Sequence, residues 1–263
     1  YRQAGLSHML VLPEKKTFEW ADVYPYLYFK RAFEGLRENK SIRHLVVDEM
    51  QDYTPVQYAV INSIYSCPKT ILGDFGQCVN PNYQNTLDDM RRLYSGAEFI
   101  ALNKSYRSTY EIIQFAGKIQ PVSALEPMER HGEPPEVIRC SNQKEMLEKL
   151  VNKIRAFEKS GWASLGIILK TNREAQALYA LLSEKHNVHL ITPEGTRFKN
   201  GVSVTSIQMA KGLEFDAVLI PDADSRHYSD AYERSLLYVA CTRAMHSLTL
   251  LYSGEVSPLL NLP

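Results

Sequence analysis

Five stretches of this 263-residue chain set chemistry-capable side chains directly beside apolar runs. In the first, His44-Leu45-Val46-Val47 leads into Asp48-Glu49-Met50-Gln51-Asp52. Two adjacent carboxylates at the end of a buried strand suit nucleotide hydrolysis. There the first acid holds Mg²⁺, and the second orients and deprotonates the attacking water. A solvated loop after a strand has the same appearance. The second stretch, Leu72-Gly73-Asp74-Phe75-Gly76-Gln77, lies 26 positions on, counted from Asp48 to Asp74. Its Gln suits contact with a terminal phosphate, although an ordinary glycine turn fits as well. The embedded Asp-Phe-Gly is not a protein-kinase signature, because no kinase catalytic loop or Val-Ala-Ile-Lys strand accompanies it. In the third stretch, Tyr106 offers a ring for a base to stack on and Arg107 a planar fork for phosphate oxygens, with Ser108 or Thr109 placed to cap the next helix. The fourth, Val204 to Asp216, passes a Lys211-Gly212 turn between two apolar runs, and the fifth puts Arg243 on an apolar helix. A buried-face arginine needs a partner, either a structural carboxylate or a phosphate.

Elements with the right geometry surround these stretches. Short continuous apolar runs alternate with amphipathic ones, the pattern of βα units around a mostly parallel sheet with helices on both faces. Strands are expected at Leu45–Val47, Thr70–Leu72, Phe99–Leu102, Glu136–Arg139, Leu165–Leu169, Val188–Ile191, Val202–Ile207, Asp216–Ile220 and Leu248–Leu251. Helices are expected at Pro55–Tyr65, Thr109–Ile119, Gln143–Lys159, Arg173–Lys185 and Tyr232–Ala244. Four prolines between Pro121 and Pro135 mark a surface crossing, and a domain boundary is expected just before Asn103. The balance of 30 basic and 30 acidic residues excludes a grossly basic nucleic-acid coat protein. No apolar run reaches the roughly 18 residues of a membrane helix. The four cysteines form no C-x-x-C pair, which argues against a zinc site or disulfide framework and for a reducing, cytoplasmic compartment. The histidines show no ligand spacing, so His44 and His246 read as structural.

In order and spelling, the five stretches resemble motifs II to VI of the UvrD/Rep-like superfamily-one helicases. Asp48 to Asp52 resembles motif II, Gly73 to Gln77 motif III and Tyr106 to Ser108 motif IV. Ala210 to Phe215 resembles motif V and Tyr238 to Ala244 motif VI. Finer spelling is similar to the HelD-like, helicase IV-related branch: Phe18-Glu19-Trp20-Ala21-Asp22, Leu27-Tyr28-Phe29-Lys30, Asp52 to Tyr58 and Ala240 to His246. The resemblance implies an α/β fold of two RecA-like (P-loop NTPase) domains, the first incomplete (1–101, with motifs II and III) and the second nearly whole (102–263, with motifs IV to VI). It implies ATP and Mg²⁺ as cofactors. Asp48 would hold the metal, Glu49 would be the general base, and Gln77 would sense the γ-phosphate. Arg107 and Arg243 would be arginine fingers. Tyr106, Gly212 and Glu214 would contact the nucleotide, with Tyr106 on adenine and Glu214 on ribose. DNA and, through the HelD-like branch, RNA polymerase are the implied partners.

Three departures qualify the resemblance. No G-x-x-x-x-G-K-[ST] occurs, so the chain lacks a phosphate cradle and reads as the C-terminal part of a motor, inactive by itself. No Trp follows motif III, and Tyr83 is the one aromatic in reach for base stacking. The 104 positions from Arg107 to Lys211 leave no room for a large accessory domain. The rival reading is a non-catalytic module that binds polymerase or nucleic acid. If the motor reading holds, Arg107 and Arg243 serve turnover rather than stability. Both should then face an open cleft edge beside Tyr106 and Glu214 with no saturating carboxylate.

Overall fold

A computed structural model describes residues 20–35, 37–80, 85–121, 126–127, 129–193, 195 and 200–260. Backbone contacts divide the chain into two compact units, Tyr1–Phe75 with Asn82–Ser95, and Gly76–Pro81 with Gly96–Pro263.

In the first unit, α1 (Trp20–Glu34), β1 (Leu45–Val47), α2 (Pro55–Ile64), β2 (Lys69–Ile71) and α3 (Leu87–Leu93) follow in order. β1 and β2 pair in parallel, Val46 opposite Thr70. α2 starts where local chemistry sets it. Thr54 and Gln57 form a reciprocal capping box, and Pro55 occupies the first turn, where its missing N–H costs nothing. α1 buries no side chain within the described residues, and its Phe33 is 86% exposed.

The second unit adds the short pair β3 (Lys104–Ser105) and β4 (Glu126–Pro127), with α4 (Tyr110–Ile119) between them. It then continues through β5 (Glu136–Cys140), α5 (Gln143–Glu158), β6 (Ser164–Leu169), α6 (Asn172–Ser183), β7 (Val188–Leu190), β8 (Gly201–Ser206), α7 (Ile207–Ala210), β9 (Phe215–Ile220), α8 (Ala231–Cys241) and β10 (Ala244–Ser253). Six of these strands form one sheet in the order β5-β10-β9-β6-β8-β7, with every pairing parallel. All six β6 residues are buried, as a central strand covered on both faces requires. One core packs α4, α7 and α8 against the sheet, with Ile112, Phe215 and Leu237 at its centre. The other packs α5 and α6 through Met146, Leu150, Ile154 and Leu182. The fold is therefore α/β, a parallel sheet with helices on both faces. No helix among the described residues is long and apolar enough to cross a membrane.

Most elements fall within one to three residues of the sequence expectation. Phe99–Leu102 is not assigned to a strand, and Leu102 is 85% exposed. Apolar content marks a segment fit for a sheet, but a strand exists only where a neighbour supplies its hydrogen bonds.

Candidate functional site

The acidic turn belongs to the first unit. Asp48 is exposed at the end of β1, and its Oδ1 accepts from the Glu49 amide at 2.8 Å. Glu49 has left-handed backbone (φ 53°) at the head of a 3₁₀ turn, Met50–Asp52. A carboxylate residue in that region is uncommon, and the conformation turns the chain sharply at the strand end. Gln51, completely buried, organises what lies around it. Its Nε2 donates to Glu49 Oε2 at 2.7 Å, and its Oε1 accepts from the Asp74 amide at 3.0 Å. One side chain thus links the two acid-bearing turns. The approach is close enough that a Cβ on Gly73 would lie 2.4 Å from Gln51 Oε1 and 2.8 Å from the Met50 amide nitrogen. Glycine is required there by space.

The second unit brings together the remaining predicted residues. Tyr106 presents its ring to solvent, 67% exposed. Arg107 follows it, and its Nε lies 2.7 Å from Glu214 Oε1, both side chains being 41% exposed. Glu214 is placed by the Lys211-Gly212 turn, where Gly212 takes φ 78°, a conformation that glycine adopts without strain. Glu214 sits at the threshold of β9, where Phe215 packs its ring over Gly166, at 2.7 Å from where a Cβ would stand.

Arg243 follows the C-terminal end of α8 and is 1% exposed. Its Nε donates to Val239 O at 3.1 Å, and its Nη2 donates to Gln77 Oε1 at 2.5 Å and Thr242 Oγ1 at 3.3 Å. The helix C-terminus, with its outward carbonyls and negative dipole end, is a natural seat for a cation. Gln77 is held twice, because Lys211 Nζ also donates to its carbonyl at 2.8 Å. Backbone bonds complete the arrangement: Phe215 N to Arg243 O at 3.0 Å, Thr109 N to Met245 O at 3.2 Å and, from a side chain, Ser108 Oγ to Ala244 O at 2.5 Å. Thr109 is the α4 N-cap residue but makes no side-chain capping bond.

Two expectations about the arginines need correction. Arg107 does have a carboxylate partner, Glu214, because the turn at Gly212 delivers that carboxylate next to it. Arg243 is not at an open edge but 1% exposed, with the α8 C-terminus and Gln77 engaging its Nε and Nη2. Tyr83, Phe18 and Glu19 lie outside the described residues.

Several residues with no distinctive sequence context of their own become prominent in the structure. Gln51 and Lys211 sat inside recognised stretches without being singled out. Arg130 carried no motif at all, yet its guanidinium joins Arg107 to His246. Asp222, Asp224 and His227 bring three potential metal-ligating atoms within 4.8 Å of one another after β9, a D-x-D-x-x-H spacing visible in the sequence. Asp224 is buried, which by itself would raise its pKa; hydrogen bonds from His227 and Arg226 outweigh this and hold the carboxyl below its ordinary value. Those donors already occupy it. Burial likewise pushes the Cys241 thiol far up, which makes it an inert core group.

The chain resembles known proteins in both sequence and structure. Residues 201–251 match the model of the UvrD-like helicase C-terminal domain. A Bacillus subtilis protein named "Putative ATP-dependent DNA helicase YjcD" is 25% identical over 54% of this chain and 20% of its own length. The "Probable DNA helicase II homolog" of Mycoplasma capricolum is 24% identical over 64% of this chain and 25% of its own length. The chain thus spans about a fifth to a quarter of these curated relatives. The C-terminal domain of a possible DNA helicase from Lactobacillus plantarum superimposes with a TM-score of 0.52 and 37% identity, covering 60% of this chain and 92% of that one. Its coverage and identity, with the matched family model lying inside the six-stranded sheet unit, make the relationship specific: the chain belongs to the UvrD-like, superfamily-one helicases and carries their C-terminal RecA-like domain.

Proposed function

We propose that the chain is the C-terminal part of an ATP-dependent, superfamily-one DNA helicase or translocase-like motor of the HelD-like branch, coupling ATP hydrolysis to remodelling of nucleic acid or RNA polymerase. The observation that carries the reading is the meeting of Arg107, Glu214, Arg243 and Gln77 in one unit, joined by the bonds among Ser108, Ala244, Phe215 and Arg243. Phosphoryl transfer asks mostly for positioning and for positive charge on the γ-oxygens, and an arginine finger contributes about 10³–10⁵ in rate, or roughly 4–7 kcal/mol.

In this reading residues 1–101 supply the end of the first RecA-like domain and 102–263 the second. Tyr106 stacks on adenine, and Glu214 exchanges its contact with Arg107 for the ribose hydroxyls. Once released, Arg107 turns its fork to phosphate. Arg243, held rigid by Val239 and Gln77, holds the second positive charge in place, and Gln77 orients the water beside the γ-phosphate. Glu49, whose carboxylate accepts from buried Gln51, would be the general base. Asp48 is exposed, and its Oδ1 accepts from the Glu49 amide, so it fits a Mg²⁺ ligand. The metal would neutralise phosphate charge when bound.

Steady-state phosphate release tests the reading. The 263-residue chain alone should turn over negligibly, for lack of a phosphate cradle. A longer protein that includes the upstream sequence should hydrolyse ATP and lose this activity with Glu49→Gln. Turnover by the short chain within about tenfold of the longer protein, abolished by the same substitution, would show that the site needs no such cradle.

A further inference from the structure

Arg130 lies in the proline-bearing crossing between α4 and β5 and belongs to none of the five motif-like stretches. Its guanidinium nevertheless bridges one of them, at Arg107, to the strand that follows another, at His246. Nη1 donates to the Arg107 carbonyl at 3.1 Å, and Nη2 reaches the His246 ring, 2.9 Å from Nδ1 and 3.0 Å from Nε2. His246 lies three residues beyond Arg243, on β10.

Both ends of this bridge are anchored independently. On one side, residues 130–132 are laced to the first turn of α4. The Arg130 carbonyl accepts from the Tyr110 amide at 2.9 Å, and the Glu111 carboxylate accepts from the Gly132 amide and from the His131 ring, each at 2.8 Å. Those two bonds hold the Glu111 carboxyl below its usual range, His131 contributing most. The His131 and Tyr110 rings pack at 5.1 Å, and Gly132 passes so close to Thr109 that a Cβ there would lie 2.6 Å from Thr109 Cγ2. On the other side, the Trp162 ring lies nearly parallel to that of His246, at 11° with centroids 6.2 Å apart, and Asp216 Oδ1 stands 3.7 Å from His246 Nε2. Asp216 is itself fixed, because its Oδ2 accepts from Ala163 N, Ser164 N and Ser164 Oγ, all at 2.9 Å.

We propose that Arg130 is a positioning residue: its fork ties the backbone of Arg107 to the strand that follows Arg243, so that the two arginines are presented as one rigid unit. The inference rests on the reading of Arg107 and Arg243 as fingers. An arginine suits this bridge because its planar fork serves two acceptors in fixed directions. The Arg107 side chain, 41% exposed and bound to Glu214 through Nε, is free to re-aim only about a backbone that does not move. Arg130 supplies that fixity without touching the nucleotide. Misplacement by about 1 Å can cost about 10²-fold in rate, which is less than loss of the finger itself at about 10³–10⁵.

Two measurements test the proposal. The first is amide hydrogen exchange on the 263-residue chain and needs no hydrolysis. Arg130→Ala should speed exchange at residues 107–109 and leave the buried strands β6 and β9 unchanged. Unchanged exchange at 107–109 overturns the clamp. The second is a double-mutant cycle on ATP turnover in the longer protein. Arg130→Ala should lower kcat by roughly tenfold to a hundredfold with little change in KM, and should add nothing in an Arg107→Ala background. An equal drop in both backgrounds means that Arg130 acts other than through Arg107, and the proposal fails. If Arg107→Ala itself leaves kcat intact, the finger reading is what has failed, and the turnover role of Arg130 falls with it. Arg130→Gln, a smaller change at an exposed site, should give the same pattern.

Discussion

Arg243 Nη2 donates to Gln77 Oε1 across 166 positions of sequence, at 2.5 Å. The contact joins the residue expected to sense the γ-phosphate to a residue expected to stabilise it, and it gives Arg243 a structural role that an open-edge finger would lack. Hydrogen bonds to charged groups are worth about 1.5–3 kcal/mol, and Arg243 makes at least three. Arg243→Ala should therefore lower the melting temperature of the 263-residue chain by several degrees, as well as abolishing turnover in the longer protein. Calorimetry decides: an unchanged melting temperature would restore the view that Arg243 serves turnover alone.

Arg107 and Glu214 should behave in the opposite way. Exposed ion pairs contribute about 0.2–1 kcal/mol, so Glu214→Ala should leave stability within about 1 kcal/mol of the parent. Under the proposed function it should also weaken ATP binding, since the ribose contact goes with it. Denaturant unfolding and nucleotide calorimetry separate the two effects. A large loss of stability would mean that the carboxylate is structural.

Gly73→Ala should disturb the acidic turn from below. The new Cβ meets Gln51 Oε1 at 2.4 Å and the Met50 backbone at 2.8 Å. Overpacking costs about 1–3 kcal/mol. Exchange of the Asp74 amide, which donates to Gln51 Oε1, should accelerate. If that amide stays protected, Gln51 is not the link between the two acid-bearing turns.

Asp224 supplies a pH signature. Its folded pKa is lowered, so its contribution is fully present above the unfolded value, about 3.9, and is lost as pH falls through the lower folded value. Asp224→Asn should destabilise the chain at neutral pH by about 1.5–3 kcal/mol. The gap between parent and variant should then shrink on acidification below pH ~4. Melting curves of both proteins from neutral pH downward provide the comparison, and a gap that stayed constant would contradict the assignment.

Single-stranded DNA should bind the 263-residue chain feebly, and salt should remove that binding steeply. The chain has no net charge, and affinity for DNA comes largely from phosphate neutralisation. Filter binding across a salt series tests this. Tight binding at physiological salt that depended on Tyr83 would restore a stacking role of the kind worth about 1–3 kcal/mol per base.

What the sequence determined by itself was local. Continuous apolar runs announced β6 and β9 because strands covered on both faces need apolar side chains at successive positions. Thr54 with Gln57 and Thr171 with Glu174 fix helix starts in the structure by local capping, because a cap satisfies donors a few residues away. The order of the motif-like stretches carried the family, since spelling is a property of the chain. Only tertiary structure decided which residues meet. Phe99–Leu102 has a strand's composition but is not part of a strand in the fold. Arg243 reads as a finger in its own stretch and is buried because Gln77 and the end of α8 surround it. Arg130 has no distinctive sequence context, and its significance comes from His246 arriving 116 positions later. Caps and apolar periodicity act over a few residues. Contacts such as these depend on how the strands are ordered in the sheet, and no short stretch of sequence encodes that order.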